Sequence, residues 1–206
     1  MPDAFVEATL PYVRPQVAAM ARLQRLTGMR PGEVVIMRTC DLDISGNIWV
    51  YTPHRHKTEH QGRERKIPIG PQARAILQEW LRTDLAAYLF SPKEAMGEQR
   101  AERRRNRKTP MTPSQRARQR KRRPQRCPGD HYTNRSYQRA VRVACRRAGV
   151  PHWHPNQLRH NFATLIRKEY GVDTARAVLG HSSPAITEVY AERDLSQAMA
   201  AVERFG

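Results

Sequence analysis

The chain has 206 residues, 39% of them apolar, which suits one domain with its own core, or one domain plus a piece that does not pack. Its 37 Lys and Arg against 19 Asp and Glu give +18 at pH 7, a surplus that favours a polyanion partner, nucleic acid first and an anionic membrane surface second. No apolar run approaches the ~20 residues of a spanning helix and the N-terminus lacks a signal-peptide pattern. Cys40, Cys127 and Cys145 show no C-x-x-C spacing, so a reduced cytoplasmic setting is expected.

In chain order, Val13, Val17, Met20, Leu23 and Leu26 recur at helical spacing, which predicts a helix over 11–26 that Thr27-Gly28 stops. Pro31 opens a second helix, to about Met37, placing Arg30 in a tight corner with Glu33 three residues on. A surface arginine at a helix cap is the plain alternative there. Residues 41–52 read as strand around a turn at Ser45-Gly46-Asn47, and 65–69 as a second strand. Between them lies a polar tip with Lys57. His54, His56 and His60 crowd it, but no carboxylate or cysteine stands at supporting spacing, so a phosphate-facing loop is read there in preference to zinc.

Pro71 starts a helix whose apolar face is Ala73, Ile76, Leu77, Trp80 and Leu81. Tyr88 to Phe90 is a short buried piece. From 91 to 130 the composition changes: fourteen Lys and Arg, four Asp and Glu, and almost no large apolar residues. Such a segment buries too little surface to offset chain entropy, so it is expected to be a disordered basic insertion, with helix at most over 98–108. It would bind phosphates without reading sequence, through Arg103, Arg104, Arg105, Lys121, Arg122 and Arg123 among others. A spacer or an address signal is the alternative.

Folding resumes with a helix capped at Asn134. Tyr137, Ala140, Val141, Ala144, Cys145 and Ala148 share its inner face and Gly149 ends it. A helix from about Asn156 to Lys168 turns Leu158, Phe162, Leu165 and Ile166 inward, with Arg159 half-buried one residue off that face. A short helix, 174–179, ends at Gly180 and leaves His181 in a turn. Ser183-Pro184 then starts the helix carrying Tyr190, and 194–205 is a last helix.

A side-chain hydroxyl can break a phosphodiester without a metal, given positive donors for the phosphorane oxygens and an acid for the leaving hydroxyl. A tyrosine fits the first role, because it is also a leaving group and the link can be reversed. Arginines fit the second, gripping two phosphate oxygens at once. A lysine can supply the proton.

The residues LTGMRPGEV, HKT, QLRHNFAT and LGHSS, with a tyrosine nine residues after the histidine, resemble the catalytic domain of the tyrosine recombinase (phage integrase) family over about residues 10–200, outside 91–130. The resemblance implies an α+β fold, mostly helical with a small antiparallel sheet. It implies Tyr190 as nucleophile on a DNA phosphate, Arg30, Lys57, Arg159 and His181 around it, and Glu33 and His160 in support. A 3′-phosphotyrosyl link, double-stranded DNA as partner, a homo-tetramer on that DNA and no metal, cofactor, small-molecule substrate or membrane follow from the same likeness. The whole chain is read as one such domain.

The sequence departs from that family twice. Asn156 stands where a histidine is usual, three residues before the arginine. Asparagine can donate to a phosphate oxygen but cannot take the tyrosine proton, and it is also a favoured N-cap. His154 and His160 are near but expected to point elsewhere. The N-terminal domain that grips DNA from the far side is expected to be absent, since about ten residues precede the first helix. Two other readings stay open: a relative that binds DNA without cutting it, and a type IB topoisomerase-like nicking and closing activity.

Overall fold

The computed structural model describes residues 1–56, 64–119, 127–180, 199 and 201–205. Helix α1 (Asp3–Thr9) and a 3-10 turn (Leu10–Tyr12) precede α2 (Pro15–Thr27), so the chain is already helical before the first predicted helix, and that helix starts later than its periodicity implies. The reason is Pro15, which lacks an N–H to give and so takes the first helical position. Helix α2 is central. Val17, Met20 and Leu23 are buried, as are Gln16, Ala19 and Gln24 on its other faces, and it packs against the helices Pro155–Leu179 and Pro71–Gln78. Each large apolar side chain there contributes roughly 1.5–3 kcal/mol on burial, and Leu23→Ala would cost about 2–5 kcal/mol through the cavity it leaves. Gly28 ends the helix at φ 63. A Cβ at that position would collide with Phe162 Cδ1, so the α2 end and the helix carrying Phe162 approach more closely than any other residue permits.

Helix α3 (Pro31–Val35) follows at once. Three short antiparallel strands, β1 (Leu42–Asp43), β2 (Trp49–Tyr51) and β3 (Ile67–Ile69), are ordered β1-β2-β3, with Leu42 opposite Tyr51 and Tyr51 opposite Ile67. Asp43 Oδ1 accepts from the Ser45 backbone N–H (3.1 Å) and hydroxyl (2.7 Å), which closes the β1–β2 turn. Tyr51 is buried and donates to the Glu33 carbonyl (2.8 Å), fastening the sheet to α3. Helix α4 (Pro71–Gln78) buries Ala73 and Leu77.

The segment expected to lack structure is helical over α5 (Pro92–Arg105) and α6 (Pro113–Ala117). Its composition hides good end chemistry. Ser91 caps α5, Pro92 and Glu94 lie in the first turn, and Arg103, Arg104 and Arg105 lie in the last turn, where positive charge suits the helix dipole. Arg82 grips both carboxylate oxygens of Glu94, Arg14 donates to Gln99 (2.8 Å), and Ala95 is buried, so the start of α5 is docked.

Helix α7 (Asn134–Ala148) buries Tyr137, Val141, Ala144 and Cys145 and exposes its arginines, as expected. Its cap is Thr133, not Asn134: Thr133 Oγ1 accepts from the Ser136 N–H (3.1 Å), and Ser136 Oγ accepts from the Thr133 N–H (2.8 Å). The two helices expected at 156–168 and 174–179 are both present within Pro155–Leu179, together called α8, and are separated at Gly171, whose φ 86 and ψ 177 are not helical. Leu158, Phe162 and Ile166 are buried, but Leu165 is 41% exposed. Phe162, Ile166, Val178 and Leu179 join Ala201 and Val202 of the last helical turn in a second, smaller core.

Candidate active site

The sharp link between α2 and α3 places Arg30. Its backbone N–H donates to Glu33 Oε2 (2.7 Å) and its Nη1 to Glu33 Oε1 (2.8 Å), so one carboxylate orients both its backbone and its side chain. Glu33 is only 2% exposed. Burial opposes its charge, but the Arg65 guanidinium, the Arg30 N–H and the Arg30 guanidinium outweigh that and hold the carboxyl below its ordinary value.

Arg159 is 5% exposed, deeper than the half-buried position expected from its place on the helix. Its Nη1 donates to the Gly28 carbonyl (2.8 Å) and its Nη2 to the Leu179 carbonyl (2.6 Å), so it joins the end of α2 to the end of α8. No carboxylate among the described residues forms an ion pair with it. Burial, then Arg30 and Arg65, push its guanidinium down to about 10, with Glu33 offsetting only part of this. At neutral pH it stays charged. Arg30 and Arg65 therefore share one carboxylate while Arg159 has none, and Arg30 and Arg159 bring the surplus positive charge to an open cleft.

That cleft, of about 900 Å³, is lined by Arg30, Glu33, Arg55, Asn156, Arg159 and His160, with Asn134 and Gln138 of α7 at its side. Asn156 does not cap α8. The cap position is His154, whose N–H donates to Gln157 Oε1 (2.7 Å), and Asn156 is exposed in the first turn. Its Nδ2 lies 3.0 Å from His160 Nε2. His160 thus turns to the same cleft as Asn156, one helical turn on, not away from it.

Lys57, His181 and Tyr190, and Lys121, Arg122 and Arg123 of the basic set, lie outside the described residues. Arg103, Arg104 and Arg105 are exposed at the end of α5. Of the histidines read against a metal, His54 pairs with Asp41 (3.0 Å) and His60 is outside the described residues. Among the described residues no group of three or more His, Cys, Asp or Glu could hold a metal ion, and no helix is long and apolar enough to cross a membrane.

Sequence reasoning missed Arg65, which is 5% exposed and contacts Glu33. It sits in the run Arg63-Glu64-Arg65-Lys66, which reads as a solvated charge cluster. The signal was the strand period: Arg65, Ile67 and Ile69 point to one side, and Arg65 continues their buried row past the strand's start. Asn134 and Gln138 are hidden by a cap reading and by a helix judged on its apolar face alone.

The profile of the phage integrase family matches residues 12–196. The chain is 29% identical over 189 residues to the tyrosine recombinase XerC of Azotobacter vinelandii, covering 89% of this chain and 50% of that protein. It is 27% identical over 181 residues to the XerC of Chromohalobacter salexigens, covering 85% of this chain and 48% of the relative. The chain spans about half the length of the curated relatives it matches. In fold it is similar to the integrase of mycobacterium phage Brujita (TM-score 0.61, 16% identity, 100% of this chain and 57% of that one). It is also similar to XerA recombinase (TM-score 0.56, 17% identity, 98% and 62%). The mostly helical domain with its small antiparallel sheet is thus the fold of known recombinases, and the chain belongs to the phage integrase family.

Proposed function

We propose that this chain is the catalytic part of a site-specific DNA recombinase that cuts and rejoins DNA through Tyr190. The observation that carries the reading is the cleft itself: Arg30 and Arg159, far apart in sequence, line one opening, and only Arg30 has a carboxylate partner there, Arg159 being held by backbone carbonyls. A phosphate is the anion this pair fits, because a guanidinium has five N–H donors, more than Glu33, Gly28 and Leu179 take up here, and Arg159 lacks a carboxylate counter-charge.

In the proposed reaction the Tyr190 hydroxyl attacks the scissile phosphorus and loses its proton. The bond from phosphorus to the 5′ oxygen breaks, and Lys57 gives that oxygen a proton. Arg30, Arg159 and His181 stabilise the charge on the non-bridging oxygens, which is greatest in the transition state. The 3′-phosphotyrosyl link conserves the energy of the broken bond, so a 5′ hydroxyl from a partner strand reverses the step without ATP. Paired protomers in a homo-tetramer on DNA would supply the partner strands.

One observation favours a weaker enzyme, or a DNA-binding relative that does not cut. Position 156 is asparagine, which cannot accept the tyrosine proton. In this reading His160, 3.0 Å from it in the same cleft, would take that proton instead.

A pool of nicked duplexes with a randomised core separates these readings. A recombinase forms a detergent-stable protein–DNA adduct that Tyr190→Phe abolishes. Retention of DNA with no adduct at any pH between about 5 and 8, the range in which an imidazole changes charge, would leave the binding-module reading standing.

A further inference from the structure

Four backbone carbonyls at the end of any α-helix lack an intrahelical partner. At the end of α8 all four are met. Gly180, at φ 61, turns its N–H back on the Ala177 and Arg176 carbonyls. Arg65 Nη1 donates to the Val178 carbonyl (3.0 Å) and Arg159 Nη2 to the Leu179 carbonyl (2.6 Å). Two guanidiniums cap consecutive carbonyls of one helix, where the backbone dipole favours positive charge.

Arg65 differs from Arg159 in that it does not line the cleft. It is 5% exposed, and its Nε lies 3.5 Å from Glu33 Oε1, the oxygen that also holds Arg30 Nη1. A Cβ at Gly180 would stand 2.6 Å from Arg65 Nη1, so the turn closing α8 rests directly on this guanidinium. One side chain therefore touches the carboxylate that aims Arg30 and the turn from which the chain continues to His181 and Tyr190. Arg65 also lies next to the last residue of the chain segment between β2 and β3 in which Lys57 falls.

We infer that Arg65 is a positioning residue: it fixes Glu33 and the last turn of α8 relative to one another, and so sets the approach of the tyrosine-bearing segment to the two cleft arginines. The catalytic half of this inference rests on the proposed role of Tyr190; the structural half does not. The planar fork is the essential feature. It reaches a carboxylate and a helix carbonyl from one rigid group, which a lysine ammonium cannot do in the same geometry.

The test uses the whole chain and three variants, Arg65→Lys, Arg65→Gln and Gly180→Ala, with the randomised nicked duplex pool as probe. Hydrogen exchange at the amides of residues 177–180 should quicken about tenfold or more in Arg65→Gln and in Gly180→Ala, with α7 unchanged. The adduct rate should fall by about a hundredfold in both, while DNA affinity stays within about threefold, since a small misplacement of reacting groups is enough for that loss. Arg65→Lys keeps the charge and should recover the melting temperature but not the rate. An Arg65→Lys protein with normal adduct formation, or variants with unchanged exchange at 177–180, would overturn the inference. If Arg65→Gln does not fold, Gly180→Ala displaces the same guanidinium from the other side and decides between the two outcomes. Failure of the parent chain to form any adduct counts against the Tyr190 reading, and the exchange arm then decides the positioning role alone.

Discussion

Arg159 Nη1 and the Gly28 carbonyl, 131 residues apart in the chain, are joined by a hydrogen bond of 2.8 Å. The bond exists because Gly28 takes a left-handed turn and lets α8 come close. Gly28→Ala is therefore expected to cost about 3 kcal/mol, from left-handed strain and from the clash with Phe162. It should also slow adduct formation, because the carbonyl that seats Arg159 moves. Denaturant midpoints and adduct rates measured together check both halves.

Glu33 is the shared anion of Arg30 and Arg65, and Glu33→Gln leaves Arg65 buried without it. A loss of about 3–5 kcal/mol is expected. The folded state holds the Glu33 proton less tightly than the unfolded chain does, since its carboxyl lies below the ordinary value of 4.5. Its contribution is therefore complete above that pH and declines as pH falls through the folded-state value. The stability gap between parent and variant should be wide at neutral pH and narrow below pH 4.5, as read by denaturant unfolding across pH.

Asn156→His places an imidazole in the cleft beside His160. The adduct rate should rise by about tenfold or more, and a new dependence should enter near about pH 6.5, with the rate increasing as the added imidazole loses its proton. An unchanged rate would mean that His160 already takes the tyrosine proton, and His160→Ala should then abolish most of the activity.

Arg103, Arg104 and Arg105 are exposed at the free end of a docked helix. Replacing all three with alanine should leave the fold intact and reduce the slope of log affinity against log salt by up to about three, one phosphate contact each. Fluorescence anisotropy across salt concentrations measures this. An unaltered slope would remove the end of α5 from the DNA interface.

Much of this architecture is legible in the sequence. The apolar faces of α7 and α8 follow from helical spacing, and Thr27-Gly28 and Gly180 mark real helix ends. The corner at Arg30 and the inward turn of Arg159 follow from residue order and spacing. Side-chain partners do not. Arg65 is hidden because burial of a charge depends on Glu33 and Val178, which are distant in sequence. Helix α5 escapes a compositional reading because its stability comes from Ser91 at its cap and from Arg82 and Arg14 on neighbouring elements, none of which the composition of the segment reveals. Asn134 and Asn156 read as caps from residue preference alone, while Thr133 and His154 hold those positions.

A nucleophilic Tyr190 leaves a covalent link between its phenolic oxygen and a DNA 3′ phosphate. Adducts captured on the nicked duplex pool, digested with nuclease and protease, can be mapped by mass spectrometry. One modified peptide is expected, with the nucleotide on Tyr190 through its 3′ phosphate, and a free 5′ hydroxyl on the released strand. Attachment at any other residue, or through a 5′ phosphate, would contradict it.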